Sequence, residues 1–138
     1  FQETSKKDFI VNYDQNSNPL NITKSIEIVY GLRNFIGNAN KFSENKIFIN
    51  IKSDSDLTEV MIEDDGEGYP KDVLSKIGEP YIKSFKSSIK SKSGLGLGIF
   101  IGKTLLEKNY ANILCRNSQT RSGAEVSIKW KNEDLLKL

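Results

Sequence analysis

Ser93-Gly94-Leu95-Gly96-Leu97-Gly98-Ile99 runs directly into Ile101, Leu105 and Leu106, an apolar pattern at helical spacing. Alternating glycines at a helix start expose backbone amides and the positive end of the helix dipole, an arrangement that suits an anion such as a triphosphate. Two better-known glycine motifs fail here. A dinucleotide fingerprint needs Gly or Ala where Ile99 stands, and a strand rather than a loop before it. A P-loop built on Gly102-Lys103-Thr104 would need glycine at the position of Leu97, and its upstream segment reads as helix.

Composition narrows the chemistry further. The 138 residues suffice for one domain, at about 100–200 residues per domain. Twenty Lys plus Arg against eighteen Asp plus Glu leave a dispersed net charge of +2, not the basic stripe of a nucleic-acid binder. One Cys excludes an internal disulfide framework and a structural zinc cluster. The absence of His removes the imidazole general base, the Ser-His-Asp and Cys-His pairs, and any phosphohistidine within this chain. Chemistry must therefore run on carboxylates, amides, lysines, backbone groups and a bound cofactor. No apolar stretch approaches the roughly 20 residues of a membrane span, and no signal peptide is recognisable. A start at Phe1 rather than Met leads us to expect a fragment of a longer protein. The abundance of Lys, Asn, Ser and Ile lowers the weight of any single Asn or Lys.

Along the chain, Lys6 to Tyr13 alternates loosely as a strand, and Asp14 to Asn21 is a polar loop with an Asn18-Pro19 turn signal. Ile28, Leu32, Phe35, Ala39 and Phe42 recur at three- and four-residue steps, predicting a long amphipathic helix from Lys24 to Ser43. Ile47 to Ile51 and Val60 to Ile62 form a hairpin around Asp54 to Asp56. Lys71 to Ile77 suits a short helix, and Pro80 to Ser93 a mobile, Lys- and Ser-rich loop. After the glycine-headed helix come two strands, around Ile113 to Cys115 and Val126 to Trp130. The expected fold is α+β. It is a two-layer α/β sandwich, a mixed and mostly antiparallel sheet against three helices, in one domain spanning residues 1–138.

Three further segments bear on a site. Asn34, Asn38 and Lys41 stand at i, i+4 and i+7 and share one helical stripe beside Phe35 and Phe42. An amide oxygen there suits Mg²⁺ beside phosphates, although a solvated face in an Asn-rich chain gives the same pattern. Glu63-Asp64-Asp65-Gly66-Glu67-Gly68-Tyr69-Pro70 follows a strand directly. A carboxylate at the strand end, with glycines that let a ligand approach, could accept a hydrogen bond from an adenine amino group; an acidic β-turn reads equally well. Calcium-loop spacing is absent. Lys83, Lys86, Lys90 and Lys92 lie in the loop before Gly94, where they could close over phosphates or simply be solvated.

Taken in order, these segments resemble the ATP-binding Bergerat-type fold shared by histidine kinases, gyrase-type topoisomerases, Hsp90 chaperones and mismatch-repair ATPases. Within that group the chain is similar to the catalytic and ATP-binding domain of sensor histidine kinases. Asn34 to Ser43 matches the N box, Asp64 to Gly68 the first G box, Glu79-Pro80-Tyr81 the F-box region and Gly94 to Ile99 the second G box. Ile28 to Leu32, Ile77 to Tyr81 and Gly98 to Glu107 further resemble redox-responsive kinases of the Reg/Prr/Act type.

The resemblance implies roles. Asn38 would bind Mg²⁺, Asn34 would assist near the phosphates, and Lys41 would contact phosphate. Phe42 would pack near the base, and Asp64 would receive the adenine amino group. Gly66 and Gly68 would let the nucleotide approach, and Tyr69 would belong to the same nucleotide-binding set. Gly94, Leu95, Gly96, Leu97 and Gly98 would cradle the phosphates, with Lys83 in an ATP lid at about residues 80–93. Many relatives carry Gly-Thr or Gly-Ser where Gly123-Ala124 stands, and Ala124 has no hydroxyl to support Asp64. Members of the fold that hydrolyse ATP, and the anti-sigma Ser/Thr kinases, carry a Glu at the position of Asn34, and an amide cannot accept a proton near neutral pH. The implied activity is therefore ATP- and Mg²⁺-dependent transfer to a His on a separate dimerisation domain, whose neutral imidazole needs no base. A standalone ATPase and a degenerate nucleotide-binding module are the alternatives. The implied parent is a membrane-anchored homodimer with this domain in the cytoplasm, served by a response regulator and contacting no nucleic acid. Cys115 sits in an apolar run and reads as a buried strand thiol rather than a redox sensor.

Overall fold

The computed structural model describes residues 7–13, 25–76, 95–120 and 122–136. The expected loop at Pro80 to Ser93 and the turn at Asn18-Pro19 fall outside them, as do Gly94 and Lys83. The elements are β1 (Asp8–Tyr13), α1 (Ile26–Phe42), β2 (Lys46–Ser53), β3 (Leu57–Asp64), α2 (Lys71–Lys76), α3 (Leu95–Lys108), β4 (Asn112–Asn117), β5 (Ala124–Lys131) and α4 (Asn132–Leu135). They form an α+β fold around one five-stranded sheet ordered β1-β2-β3-β5-β4. β1 pairs parallel with β2 and every other pair is antiparallel.

α1 begins where Ser25, in extended backbone, accepts the Ile28 N–H on its hydroxyl, a capping contact worth about 1 kcal/mol. It ends where Ser43 N–H returns to the Ala39 carbonyl. Lys7 donates from Nζ to the carbonyls of Asn40 and Ser43, placing a cation at the negative end of the helix dipole. The predicted apolar stripe turns inward: Ile28, Phe35 and Ala39 are buried, and Leu32 and Phe42 pack partly buried against them. The β2–β3 turn is set by Asp54, whose carboxylate accepts the N–H groups of Asp56 and Leu57, both at 2.8 Å.

Side chains two apart on a strand share a face. The inward row runs Ile47 and Ile49 on β2, Val60 and Ile62 on β3, Val126, Ile128 and Trp130 on β5. Ile47, Ile62 and Ile128 are its fully buried centre, and Phe35 of α1 and Leu106 of α3 are equally buried. Asp64 stands at the end of this inward row, opposite Ile47. α4 was not expected from the sequence. Its Asn132 accepts from Thr58 Oγ1 at 2.7 Å and donates to the Asp54 carbonyl at 2.7 Å, tying the chain end to the β2–β3 turn.

Candidate functional site: a carboxylate at the end of an apolar cavity

Because the β3 alternation carries Asp64 inward, the residue is only 4% exposed. Oδ1 accepts the Gly66 N–H at 2.9 Å and the Ala124 N–H at 3.3 Å. Both of these bonds from described residues fall on Oδ1. Burial pushes the carboxyl above its ordinary value, assisted by the neighbouring Asp65 charge; the two backbone donors and Lys7 act the other way. Packing around it is close. A Cβ on Gly123 would stand 2.0 Å from the Asp64 carbonyl oxygen, and one on Gly66 would stand 2.1 Å from that of Phe42.

Asp65 points elsewhere. Its carboxylate accepts the N–H groups of Glu44, Asn45 and Lys46, stapling the acidic turn to the loop after α1. Partial burial pushes its carboxyl up, but these donors outweigh the cost and hold it below the ordinary value.

Asp64 lines a mostly apolar cavity that is open to solvent. α1 supplies Phe35, Asn38, Ala39 and Phe42, and the strands supply Ile62, Ala124 and Val126. The acidic turn adds Gly68, Tyr69 and Pro70. A mostly apolar slot with one oriented carboxylate is a receptor for a flat heterocycle that offers a donor at its edge. Tyr69 is buried, which drives its hydroxyl well above the usual range, and burial pushes the Cys115 thiol up to about 11.

At the α1–α3 contact, Asn38 packs on Gly98, where a Cβ would come within 2.8 Å of Asn38 Oδ1. Among the described residues, Asn38 Nδ2 is buried without a hydrogen-bond partner. An orphaned buried N–H donor is costly and would be satisfied by an acceptor such as a phosphate oxygen, not by a cation. The amide oxygen is a hard donor suited to Mg²⁺, so this position fits the expected metal. Among the described residues no cluster of three His, Cys, Asp or Glu could hold a metal unaided.

Residues 23–134 match the family described as histidine kinase-, DNA gyrase B-, and HSP90-like ATPase. The chain belongs to this family. Among curated relatives, the sensor histidine kinase RegB of Cereibacter sphaeroides is 34% identical, over 83% of this chain and 28% of its own length. The sensor protein kinase PilS of Pseudomonas aeruginosa is 29% identical, over 67% of this chain and 18% of its own length. The chain thus spans well under a third of these relatives. In three dimensions it is similar to the catalytic domain of histidine kinase ThkA, with a TM-score of 0.71 at 22% identity, covering 92% of this chain and 81% of that one. The mycobacterial sensor histidine kinase MprB gives 0.67 at 20% identity, covering 94% of this chain and 85% of that one.

Within this family member, the residues expected at the site fall into groups. Asn38, Phe42, Asp64, Gly68 and Tyr69 line this cavity together, and Gly66 and Gly98 pack directly on its polar groups. Asn34 does not line it: Nδ2 donates to the Tyr30 carbonyl at 2.8 Å, one turn back along α1. Lys41 is exposed, with Nζ 5.4 Å from the Phe42 ring centre. Leu95, Gly96 and Leu97 form the first turn of α3. The support of Asp64 that a hydroxyl at position 124 would give comes here from the Ala124 backbone N–H. Residue types did not reveal this donor, nor Asp65 or Lys7 as supports.

Proposed function

We propose that this chain is the catalytic and ATP-binding domain of a two-component sensor histidine kinase. It would transfer the γ-phosphate of ATP to a His on a separate dimerisation domain of the same parent, for relay to a response regulator. The observation that carries this reading is the Asp64 carboxylate, inside an apolar cavity with Oδ1 held by two backbone donors. The carboxylate would accept from the exocyclic amino group of adenine, whereas a purine with a carbonyl at that edge would set two acceptors face to face.

Asn38 would hold Mg²⁺, which when bound neutralises phosphate charge. Asn34, whose amide is already engaged with the Tyr30 carbonyl, supplies no proton acceptor. The hydroxyl- and water-activating chemistries of the wider fold need one. A neutral imidazole does not, because its lone pair is already nucleophilic. Lys41 and Lys83 are assigned to phosphate contact. A membrane-anchored, homodimeric parent with this domain in the cytoplasm completes the reading; among the described residues no helix is long and apolar enough to cross a membrane.

The test supplies γ-labelled ATP to this chain mixed with the parent segment that bears the acceptor His. Label should appear on that segment and not on this chain, with little free phosphate. Sustained phosphate release without transfer would overturn the kinase reading in favour of an ATPase.

A further inference from the structure

Asn117, the last residue of β4, makes two hydrogen bonds to a single residue 48 positions away. Oδ1 accepts the Tyr69 N–H at 2.6 Å, and Nδ2 donates to the Tyr69 carbonyl at 3.1 Å. One amide side chain thus supplies the donor and acceptor that a neighbouring strand would offer in a β-ladder. It does so where there is no strand, because Tyr69 lies beyond the end of β3. Gly68 makes the approach possible. Its φ of +83° belongs to the left-handed region, and a Cβ there would meet Asn117 Oδ1 at 2.7 Å.

The clamped segment is a wall of the cavity, since Gly68, Tyr69 and Pro70 all line it together with Asp64. Asn117 itself does not line it. Its Oδ1 and Nδ2 are committed to the Tyr69 backbone, and a turn released from them would leave the wall free to shift relative to the carboxylate.

We propose that Asn117 is a positioning residue of the base site, which sets affinity for the adenine end of the nucleotide without touching it. This rests on the ATP-site reading above. The wall meets the base and not the phosphates, so its loss acts equally on ligands with and without phosphate.

Binding of MgADP by calorimetry, and of adenosine by NMR titration, tests the proposal on wild type, Asn117→Ala and Asn117→Asp. Asn117→Ala should weaken both ligands by a similar factor, about tenfold for the loss of two hydrogen bonds that order the wall. Asn117→Asp keeps the acceptor for the Tyr69 N–H but loses the donor, and should fall between. Thr58→Ala, which removes a hydrogen bond to Asn132 at the other end of β3, should lower the melting temperature and leave both affinities unchanged. Wild-type affinity in folded Asn117→Ala, or a loss confined to MgADP, overturns the proposal. If Asn117→Ala does not fold, Asn117→Asp decides, and wild-type affinity there for both ligands counts against it. Failure of wild type to bind MgADP would instead overturn the ATP-site reading on which the proposal rests.

Discussion

Asp64 concentrates the conflict between stability and function in one side chain. Its pKa is raised in the folded chain, chiefly by burial. The native state therefore binds its proton more tightly than the unfolded state does. The contribution of this group to stability is greatest at low pH and falls as pH rises through its folded pKa, above the ordinary aspartate value of 3.8. Asp64→Asn keeps an oxygen for the Gly66 and Ala124 donors while removing the buried charge. In the absence of nucleotide it should melt at or above wild type at pH 7, with the gap closing as pH is lowered; a melting temperature well below wild type at pH 7 would contradict this. Cys115 has its thiol pKa raised rather than lowered. With a pKa of about 11, about one thiol in ten thousand is ionised at pH 7, so alkylation of the folded chain should be slow and accelerate only toward that pH. That Asp64 ends a strand was legible in the sequence. That its second donor is the backbone of Ala124 was not, because a backbone N–H is present at every non-proline residue and leaves no mark on residue type.

The element that positions the site is the α1–α3 pair, built on three glycines. Gly31 meets Leu106, Gly102 meets the Phe35 ring, and Gly98 meets Asn38. A Cβ at Gly102 would come within 2.7 Å of Phe35, and one at Gly31 within 2.6 Å of Leu106. Gly102, which superficially suggested a phosphate loop, is thus a packing residue. Gly31→Ala should cost about 1–3 kcal/mol by overpacking, partly offset by up to about 1 kcal/mol of helix propensity, and leave adenosine affinity unchanged. Gly98→Ala instead presses on the Asn38 amide and should reduce the Mg²⁺-dependent part of nucleotide affinity more than it lowers the melting temperature. Calorimetry with and without Mg²⁺, beside thermal unfolding, separates the two. The helices were legible because their apolar positions repeat at 3.6 residues. α4 was not, since four residues carry no period.

At the scale of the molecule, the sheet brings the end of β3, the start of β5 and the acidic turn to one place beneath α1. Local hairpins could be read from strand patterns. The insertion of β5 between β3 and β4, and the parallel pairing of β1 with β2 across α1, could not, because such pairings join residues far apart in sequence. The same holds for the clamp from Asn117 to Tyr69. The isolated chain, with an amide at position 34 and no His, should release phosphate from ATP only very slowly; rapid steady release would contradict the assignment of Asn34. The central claim is that Asp64 reads adenine in this cavity, and calorimetric titration of wild type and Asp64→Asn with MgADP tests it most directly. Loss of a charge-assisted hydrogen bond, about 1.5–3 kcal/mol, predicts binding about ten- to hundredfold weaker in the variant. Equal affinity in the two proteins, or no binding by wild type, would contradict it.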